Sequence, residues 1–164
     1  MKKIVYVAFS AFLIIWMNNC AGYKPIFSSE NINFEISEYS IKGNKILGKR
    51  IYYKLDNLSN SIKDKVNKRR ISLTIDVKKN KIATVKDSTG KISEYKITLN
   101  TEVKVIDFLN NNKLLENTFV TSTNYKVQSQ YSDTINLENK TIENLINKTY
   151  QELLTRLAQN IITK

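Results

Sequence analysis

The strongest constraint on the fold is a change in the spacing of the apolar residues along the chain. Apolar or β-branched side chains recur at every second position over residues 71–77, 95–105 and 119–127. A period of two is typical of strands with one buried face. From Thr141 onward apolar residues recur every three to four positions, which is typical of an amphipathic helix. The second half of the chain therefore predicts three strands and then a helix.

Short polar segments separate these elements. Residues 87–90 read Asp-Ser-Thr-Gly and residues 110–113 read Asn-Asn-Asn-Lys, and both compositions are typical of tight turns. Strands joined this closely form an antiparallel meander. We expect the first strand of the meander to continue to Val85 with a kink at residues 79–81. Asp133 or Thr134 is the predicted cap of the final helix.

The first half of the chain predicts one strand and one helix. Ile32, Phe34 and Ile36 alternate with polar residues, and Gly43 then interrupts the chain. A stripe at i, i+4, i+8 and i+11 indicates a helix that ends near residues 57–60, with Gly48 beside the stripe to allow close approach to the sheet. The stripe comprises Leu47, Ile51, Leu55 and Leu58.

These elements predict an α+β two-layer sandwich with the order β-α-β-β-β-α. One sheet face is apolar and each helix carries one apolar stripe, so both helices should pack on that face of a four-stranded mixed sheet. The helical connection between the first two strands favours a parallel, right-handed crossover. The opposite sheet face should stay polar.

The N-terminus has the pattern of an export signal. Lys2 and Lys3 precede an apolar run over residues 4–16, which is shorter than the roughly 20 residues of a membrane-spanning helix. Cys20, the only cysteine, follows the run and is the predicted lipidation site. Residues 1–19 are then a lipoprotein signal peptide, residues 20–31 a tether, and residues 32–164 a single domain.

Two alternatives to lipidation remain open at the cleavage site. Asn19 stands where lipoprotein signals usually have a small residue just before the cysteine. The segment could instead be an ordinary signal peptide that is cut near Ala21 or Gly22, or an uncleaved anchor. The absence of Asp directly after Cys20 favours the outer membrane over the inner membrane.

The composition limits the possible chemistry. The chain has no histidine, which excludes Ser-His-Asp and Cys-His catalysis as well as the common zinc sites. A single cysteine excludes thiolate metal clusters, and the carboxylates form no local constellation. We therefore expect no enzymatic activity, no metal and no cofactor.

The charge points to an anionic partner. The formal net charge is +11, and loss of Lys2 and Lys3 with the signal would leave 24 basic residues against 15 acidic ones. Such a surface favours nucleic acid, anionic lipid or phosphorylated saccharide. Export makes nucleic acid an unexpected partner. A compositional bias towards Lys, Asn and Ile is the alternative source of the charge.

Two basic groups are the candidate polyanion contacts, because both are predicted to lie at strand ends where charges can converge. The alternative role is a solvated edge that discourages pairing between sheets, a common use of lysine. The first group is Lys68, Arg69 and Arg70, and the second is Lys78, Lys79 and Lys81.

The chain resembles the LptE family of LPS-assembly lipoproteins. The resemblance rests on the element order, on the start Cys-Ala-Gly-Tyr-Lys-Pro at residues 20–25, and on Ser-Glu-Tyr-Lys-Ile-Thr-Leu at residues 93–99. It also rests on the segment from Tyr125 through Asp133 into a terminal helix that ends Leu-Ala-Gln-Asn-Ile-Ile. No single motif is specific, and the conjunction covers nearly the whole mature chain.

The resemblance implies a function that composition alone does not. Members of this family plug and help to assemble the outer-membrane β-barrel LptD, and they bind lipopolysaccharide on its way to the cell surface. By this resemblance the chain would be an outer-membrane lipoprotein on the periplasmic side, with lipid A phosphates near its basic residues. The alternative is a generic periplasm-facing lipoprotein that acts as a protein–protein adaptor in envelope assembly. A solute-binding module is disfavoured, because two helices closing one sheet face leave little room for a ligand.

Overall fold

The computed structural model describes residues 33–61 and 68–162, with side chains described to residue 160. The predicted signal peptide, Cys20, the tether and Ile32 lie outside these residues. The elements follow the predicted order of strand, helix, three strands and helix. They are β1 (Phe34–Gly43), α1 (Lys45–Ser61), β2 (Arg69–Lys86), β3 (Ile92–Asp107), β4 (Lys113–Lys126) and α2 (Tyr131–Ile162).

The four strands form one sheet in the order β1-β2-β3-β4. β1 and β2 are parallel, whereas β2–β3 and β3–β4 are antiparallel. Both predicted turns are present. Gly90 has a φ of +83° and donates its amide to the carbonyl of Asp87, and Asn111 has a φ of +57°. The mixed sheet and its meander are therefore confirmed.

Both helices pack on one face of the sheet, as predicted for a two-layer sandwich. Buried apolar side chains from all six elements form a single core cluster. Ile51 and Leu55 of α1 and Ile146 and Leu153 of α2 are essentially inaccessible to solvent. The strand residues in this cluster include Ile71, Leu73, Ile75, Val77, Ile97, Leu99, Val103, Val105, Phe119 and Tyr125.

Hydrogen bonds from buried side chains connect the two layers. The hydroxyl of Ser59 in α1 donates to the carbonyl oxygen of Phe34 over 2.7 Å. The hydroxyls of Thr121 in β4 and Thr149 in α2 lie 3.1 Å apart and are buried. Buried polar groups are costly unless paired, so these contacts fix the position of each helix over its strand.

The start of α1 depends on two glycines and a cap. Gly43 has a φ of +62°, and a side chain there would collide with the carbonyl of Val77. Asn44 then accepts the amide of Leu47 over 3.1 Å, which is the bond of an N-cap. A Cβ on Gly48 would lie 2.5 Å from Cγ2 of Ile41, which confirms the predicted close approach of α1 to the sheet.

β1 is longer than the alternation of apolar residues predicts. A register irregularity between Ile36 and Glu38 shifts the pairing with β2 by one residue. Because side chains alternate with a period of two, this bulge moves Tyr39 and Ile41 to the helix side of the sheet. The alternation therefore breaks at residue 37, although the strand continues to Gly43.

Two further expectations are wrong. β2 has no kink at residues 79–81, since its pairing with β3 runs without interruption to Ala83 and shifts first between Ala83 and Val85 and again between Val85 and Lys86. α2 begins at Tyr131, ahead of both predicted caps. Thr134 already lies inside the first turn, where its hydroxyl accepts the amide of Gln128 over 2.9 Å. Its oxygen therefore reaches back to the incoming chain instead of capping the helix.

Candidate polyanion contacts and the surfaces around them

The first basic group lies where β2 begins, and its members bind other parts of the domain. Lys68 donates through Nζ to the carbonyl of Ser59 over 2.6 Å. Ser59 belongs to the last turn of α1, whose carbonyls have no helical partner. Lys68 therefore provides a hydrogen-bond donor for a carbonyl at the end of α1, and its ammonium is engaged inside the domain.

Arg69 forms the most buried ion pair among residues 33–61 and 68–162. Its Nε donates to Oδ2 of Asp107 over 2.7 Å, and the Asp107 side chain is only 7% exposed. Oδ1 of Asp107 accepts the amide of Leu109 over 3.0 Å and that of Asn110. The hydrogen bond from Arg69 and these amides hold the pKa of Asp107 below its usual value. This ion pair connects the β3–β4 turn to the start of β2.

Arg70 is the third member of the first group. Its Nε donates to the hydroxyl of Ser37 over 3.1 Å, and its guanidinium lies 4.6 Å from the centre of the Phe108 ring. Both contacts are at the surface. Arg70 therefore links β1 to the β3–β4 turn, and it remains more accessible than Arg69.

The second basic group lies in the middle of β2, not at a strand end, and its members point to opposite faces of the sheet. Lys79 and Lys81 share the side of Val77, facing α2, whereas Lys78 shares the polar side of Asp76. The three ammonium groups therefore do not converge as the sequence predicted. The period of two along a strand is the physical reason, since residues 78 and 79 must face apart.

Lys79 and Lys81 both pair with Glu138, near the start of α2. Nζ of Lys81 lies 2.6 Å from Oε2 of Glu138, and Nζ of Lys79 lies 3.7 Å from Oε1. The hydroxyl of Tyr125 donates to Oε2 of Glu138 over 2.8 Å. Nζ of Lys81 also stands 4.3 Å above the ring of Tyr95. One carboxylate therefore holds two lysines and a tyrosine between the sheet and the helix.

The electrostatics of this cluster favour the charged forms. Burial raises the pKa of Glu138, but hydrogen bonds from Lys81 and Tyr125 outweigh burial and leave the pKa below its usual value. Burial lowers the pKa of Lys81, but the hydrogen bonds and charge interactions with Glu138 and Tyr125 together outweigh burial and raise that pKa above the ordinary lysine value. Both groups are thus ionised at neutral pH, and the carboxylate offsets part of the positive charge.

A cleft of about 440 Å³ lies beside this cluster, between the β2–β3 hairpin and the start of α2. Lys81, Tyr95 and Glu138 line one part of it, and Lys91 and Tyr131 line another. The side chain of Tyr131 is 81% exposed. The cleft combines aromatic and basic groups, but Lys81, one of the two lysines that line it, is already paired with Glu138.

The outer face of the sheet is polar, as predicted, and its charges are mixed. Lys78 lies in a shallow depression with Asp76, Asn100, Glu102 and Thr118. Lys78 makes no ion pair in the part of the chain that the structure describes, so it is the one lysine of the two basic groups whose ammonium is free there. Val120 on β4 is 62% exposed on the same face.

Sequence reasoning missed the acidic partners. Asp107 follows Arg69 by 38 residues and Glu138 follows Lys81 by 57, so no local spacing joins either pair. Asp107 could have been noticed because it ends an apolar strand directly before a turn. Glu138 carries no such signal, because nothing in the sequence places it against residues 79–81.

Two further searches of the described residues give negative results. Within residues 33–61 and 68–162 no group of His, Cys, Asp and Glu could hold a metal ion. Neither helix there is long and apolar enough to span a bilayer.

Comparison with known proteins finds similarity of fold. No protein-family model matches the chain, and no curated protein sequence matches it. Among solved structures, a predicted lipoprotein from Caulobacter crescentus superposes with a TM-score of 0.57 at 13% identity, covering 79% of this chain and 92% of that one. Lipoprotein B from Nitrosomonas europaea gives 0.56 at 11% identity, covering 81% and 88%. A minor lipoprotein from Acinetobacter baumannii gives 0.52 at 12% identity, covering 77% and 94%. The two-layer fold is thus shared with these proteins over most of their length.

Proposed function

We propose that this protein is a lipid-anchored envelope lipoprotein that binds an LptD-like outer-membrane β-barrel during lipopolysaccharide export. The observation that carries the proposal is the conjunction of two features. The fold is similar to that of bacterial lipoproteins over about four-fifths of the chain. A basic start, a short apolar run and a lone Cys20 precede that fold in the sequence. The barrel partner and the link to lipopolysaccharide export are inferred from the resemblance to the LptE family.

The architecture suits a docking role. The two helices cover one face of the sheet, and the other face presents polar side chains to solvent. The lumen of a large outer-membrane barrel is also polar, so such a face can lie against it without burying unpaired groups. More than one acyl chain on Cys20 would keep the domain at the membrane, since a single chain anchors only marginally.

Most of the six basic candidates are engaged in contacts within the domain. This favours protein docking as the role of the domain over direct binding of lipopolysaccharide by these residues. Lys68, Arg69, Lys79 and Lys81 hold carbonyl or carboxylate groups of the domain itself. Of the remaining two, Arg70 is engaged at the surface and Lys78 is free among the described residues. This observation supports the second candidate function, a protein–protein adaptor of the envelope, alongside the first.

Affinity purification from the native membrane tests the proposal. A tagged full-length protein should recover one very large β-barrel, and mass spectrometry should find Cys20 carrying lipid. The matched control is Cys20→Ser, which should leave the membrane fraction and recover less of the barrel. Recovery of other envelope proteins without a barrel would favour the adaptor, and an unmodified Cys20 in the native host would refute lipid anchoring.

The lipopolysaccharide part of the proposal has its own test. Lys78→Glu should weaken binding of lipopolysaccharide vesicles at low salt, because it reverses a free charge on the polar face. Lys148→Glu makes the same charge change on an exposed position of α2 and should have less effect. Equal binding by the wild type and by Lys78→Glu would remove this residue from the contact surface.

A further inference from the structure

The free edge of β4 lacks the features that usually protect the edge of a sheet. β1 and β4 are the two edge strands. β1 has a bulge after Ile36 and carries Glu35, Glu38 and Lys42. β4 has no charged residue and no proline over residues 117–125, and its pairing with β3 runs without irregularity over the same residues. Open, uncharged edges readily pair with another strand, so natural proteins usually block them.

The backbone of β4 is oriented for such pairing. The amide of Thr118 donates to the side chain of Asn117 over 2.9 Å and therefore does not bond to β3. Because successive residues of a strand turn their backbone groups to opposite sides, Val120, Ser122 and Asn124 also direct their amides and carbonyls outward. These three residues are exposed. The structure describes no hydrogen-bond partner for their amides.

The groove beside this edge leaves room for another strand. A groove of about 510 Å³ lies between β4 and the second half of α2, and Phe119, Val120, Glu152 and Arg156 line part of it. An added strand would extend the sheet past β4 and place its helix-side residues in this groove. The groove is open, and both polar and apolar groups are available in it.

The side chains of β4 are complementary to those of a second copy. In an antiparallel pair with Thr121 on the twofold axis, Val120 faces Ser122 of the second copy and Thr118 faces Asn124. In the same register Glu116 faces Lys126, and symmetry repeats that pair at the other end. Both residues are exposed on the outer face, and the six outward-facing residues are thereby matched without a like-charge contact. Moving the axis by one residue removes both charge pairs.

We propose that the free protein forms a twofold dimer in which β4 pairs with β4 of a second copy, giving one continuous eight-stranded sheet. Such an isologous contact closes on itself, and among the described strands it leaves the two copies of β1, each with a bulge and charges, as the outer edges. The dimer goes beyond the proposed barrel partnership, because it concerns the protein before any other partner is bound. It protects the exposed edge of β4 during that time.

Sedimentation equilibrium of the full mature lipoprotein in density-matched detergent tests this proposal. The wild type should show a monomer–dimer equilibrium. Val120→Lys should shift it to monomer while the circular dichroism spectrum is unchanged. The matched control is Val85→Lys, which changes an exposed apolar residue near the β2–β3 turn, away from the edge, and should leave the dimer intact.

A charge exchange tests the register. Glu116→Lys and Lys126→Glu should each weaken the dimer by about tenfold, since each places like charges opposite one another at both ends. The double variant restores opposite charges and should return the affinity to near that of the wild type. If Val120→Lys does not fold, Ser122→Lys provides the same test.

Four results would overturn the proposal. One is a wild type that stays monomeric at every concentration, and another is a dimer whose mass Val120→Lys does not change. The third is a charge exchange in which the double variant is weaker than either single variant. A different protein bound at the edge and displaced by Val120→Lys would likewise refute a second copy as the occupant.

Discussion

At the scale of single residues, Asp107 is the most buried acid of the described sheet. Asp107→Asn removes the charge that pairs with Arg69 and should destabilise the domain by about 2 kcal/mol at neutral pH. Because the folded-state pKa of Asp107 is lowered, its stabilisation is present above the unfolded value of about 3.9 and is lost as the pH falls through the folded value. Urea unfolding of wild type and variant should show a difference at pH 7 that shrinks as the pH is lowered through 4 towards 2.

An exposed pair provides the control for Asp107. Lys113 and Glu116 lie 2.7 Å apart, but both side chains are largely exposed. Exposed pairs contribute little because water screens them. Glu116→Gln should therefore leave the unfolding midpoint of the monomer unchanged within error, when both proteins carry the dimer-breaking Val120→Lys substitution. If the two substitutions lowered the free energy of unfolding equally, the stabilising role assigned to the Arg69–Asp107 pair would be contradicted.

Glu138 gives a second prediction at this scale. Glu138→Gln leaves Lys79 and Lys81 close together without their carboxylate and should cost about 2 kcal/mol at neutral pH. The pKa of Glu138 is lowered, so the stabilisation is present above the unfolded value of about 4.3 and disappears as the pH falls through the folded value. The measurement is the free energy of unfolding from pH 7 to pH 3, and an unchanged value at pH 7 would contradict the prediction.

The same residues show what the sequence could predict at this scale. The six basic candidates were visible in the sequence, but their partners were not, because Asp107 and Glu138 are far away along the chain. The period of two in β2 already implied that Lys78 and Lys79 face apart. The pairing of two lysines with one carboxylate of α2 depends on how α2 crosses the sheet. No local sequence pattern predicts that crossing.

At the scale of elements, the strands with tight turns were the most predictable. β2, β3 and β4 alternate regularly, and Gly90 and Asn111 mark the turns with positive φ values. β1 was harder to predict because its bulge breaks the alternation in mid-strand. The start of α2 was misplaced because Thr134 resembles a cap in sequence but bonds the preceding chain.

Gly48 tests the contact between α1 and β1. Gly48→Ala should destabilise the domain by about 1–3 kcal/mol, because the new methyl would lie 2.5 Å from a branch of Ile41 that cannot swing away. In an Ile41→Ala background the same substitution should become neutral or stabilising, since alanine is the better helix former. Chemical denaturation of the wild type, the two single variants and the double variant gives the coupling energy.

The control for this cycle is Lys49→Ala, which changes an exposed neighbour on the same helix. Its effect should be within about 0.5 kcal/mol of zero. If Gly48→Ala were equally destabilising in both backgrounds, the close approach of α1 to Ile41 would not be the cause.

At the scale of the whole molecule, the positive charge is distributed instead of focused. Lys78 and Lys104 lie on the outer face, Lys148 lies on α2, and Glu138 offsets the lysines at the cleft. A net charge therefore predicts attraction to polyanions without predicting where they bind. The position of each charge on the surface depends on how the strands pair and how the helices cross the sheet, and these are properties of the assembled fold.

The arrangement of the core gives a last prediction. Every described residue of the core cluster lies between Phe34 and Ala158. A fragment of residues 33–164 should therefore unfold in one cooperative transition, with a midpoint within about 3 °C of that of the mature protein. A fragment that starts at Asn44 lacks β1, loses Phe34 from the core and removes the acceptor of Ser59, and it should not fold. Calorimetry on both fragments shows which residues the cooperative unit needs. If the longer fragment failed to fold, the segment before residue 33 would be part of the folded unit and not only a leader and tether.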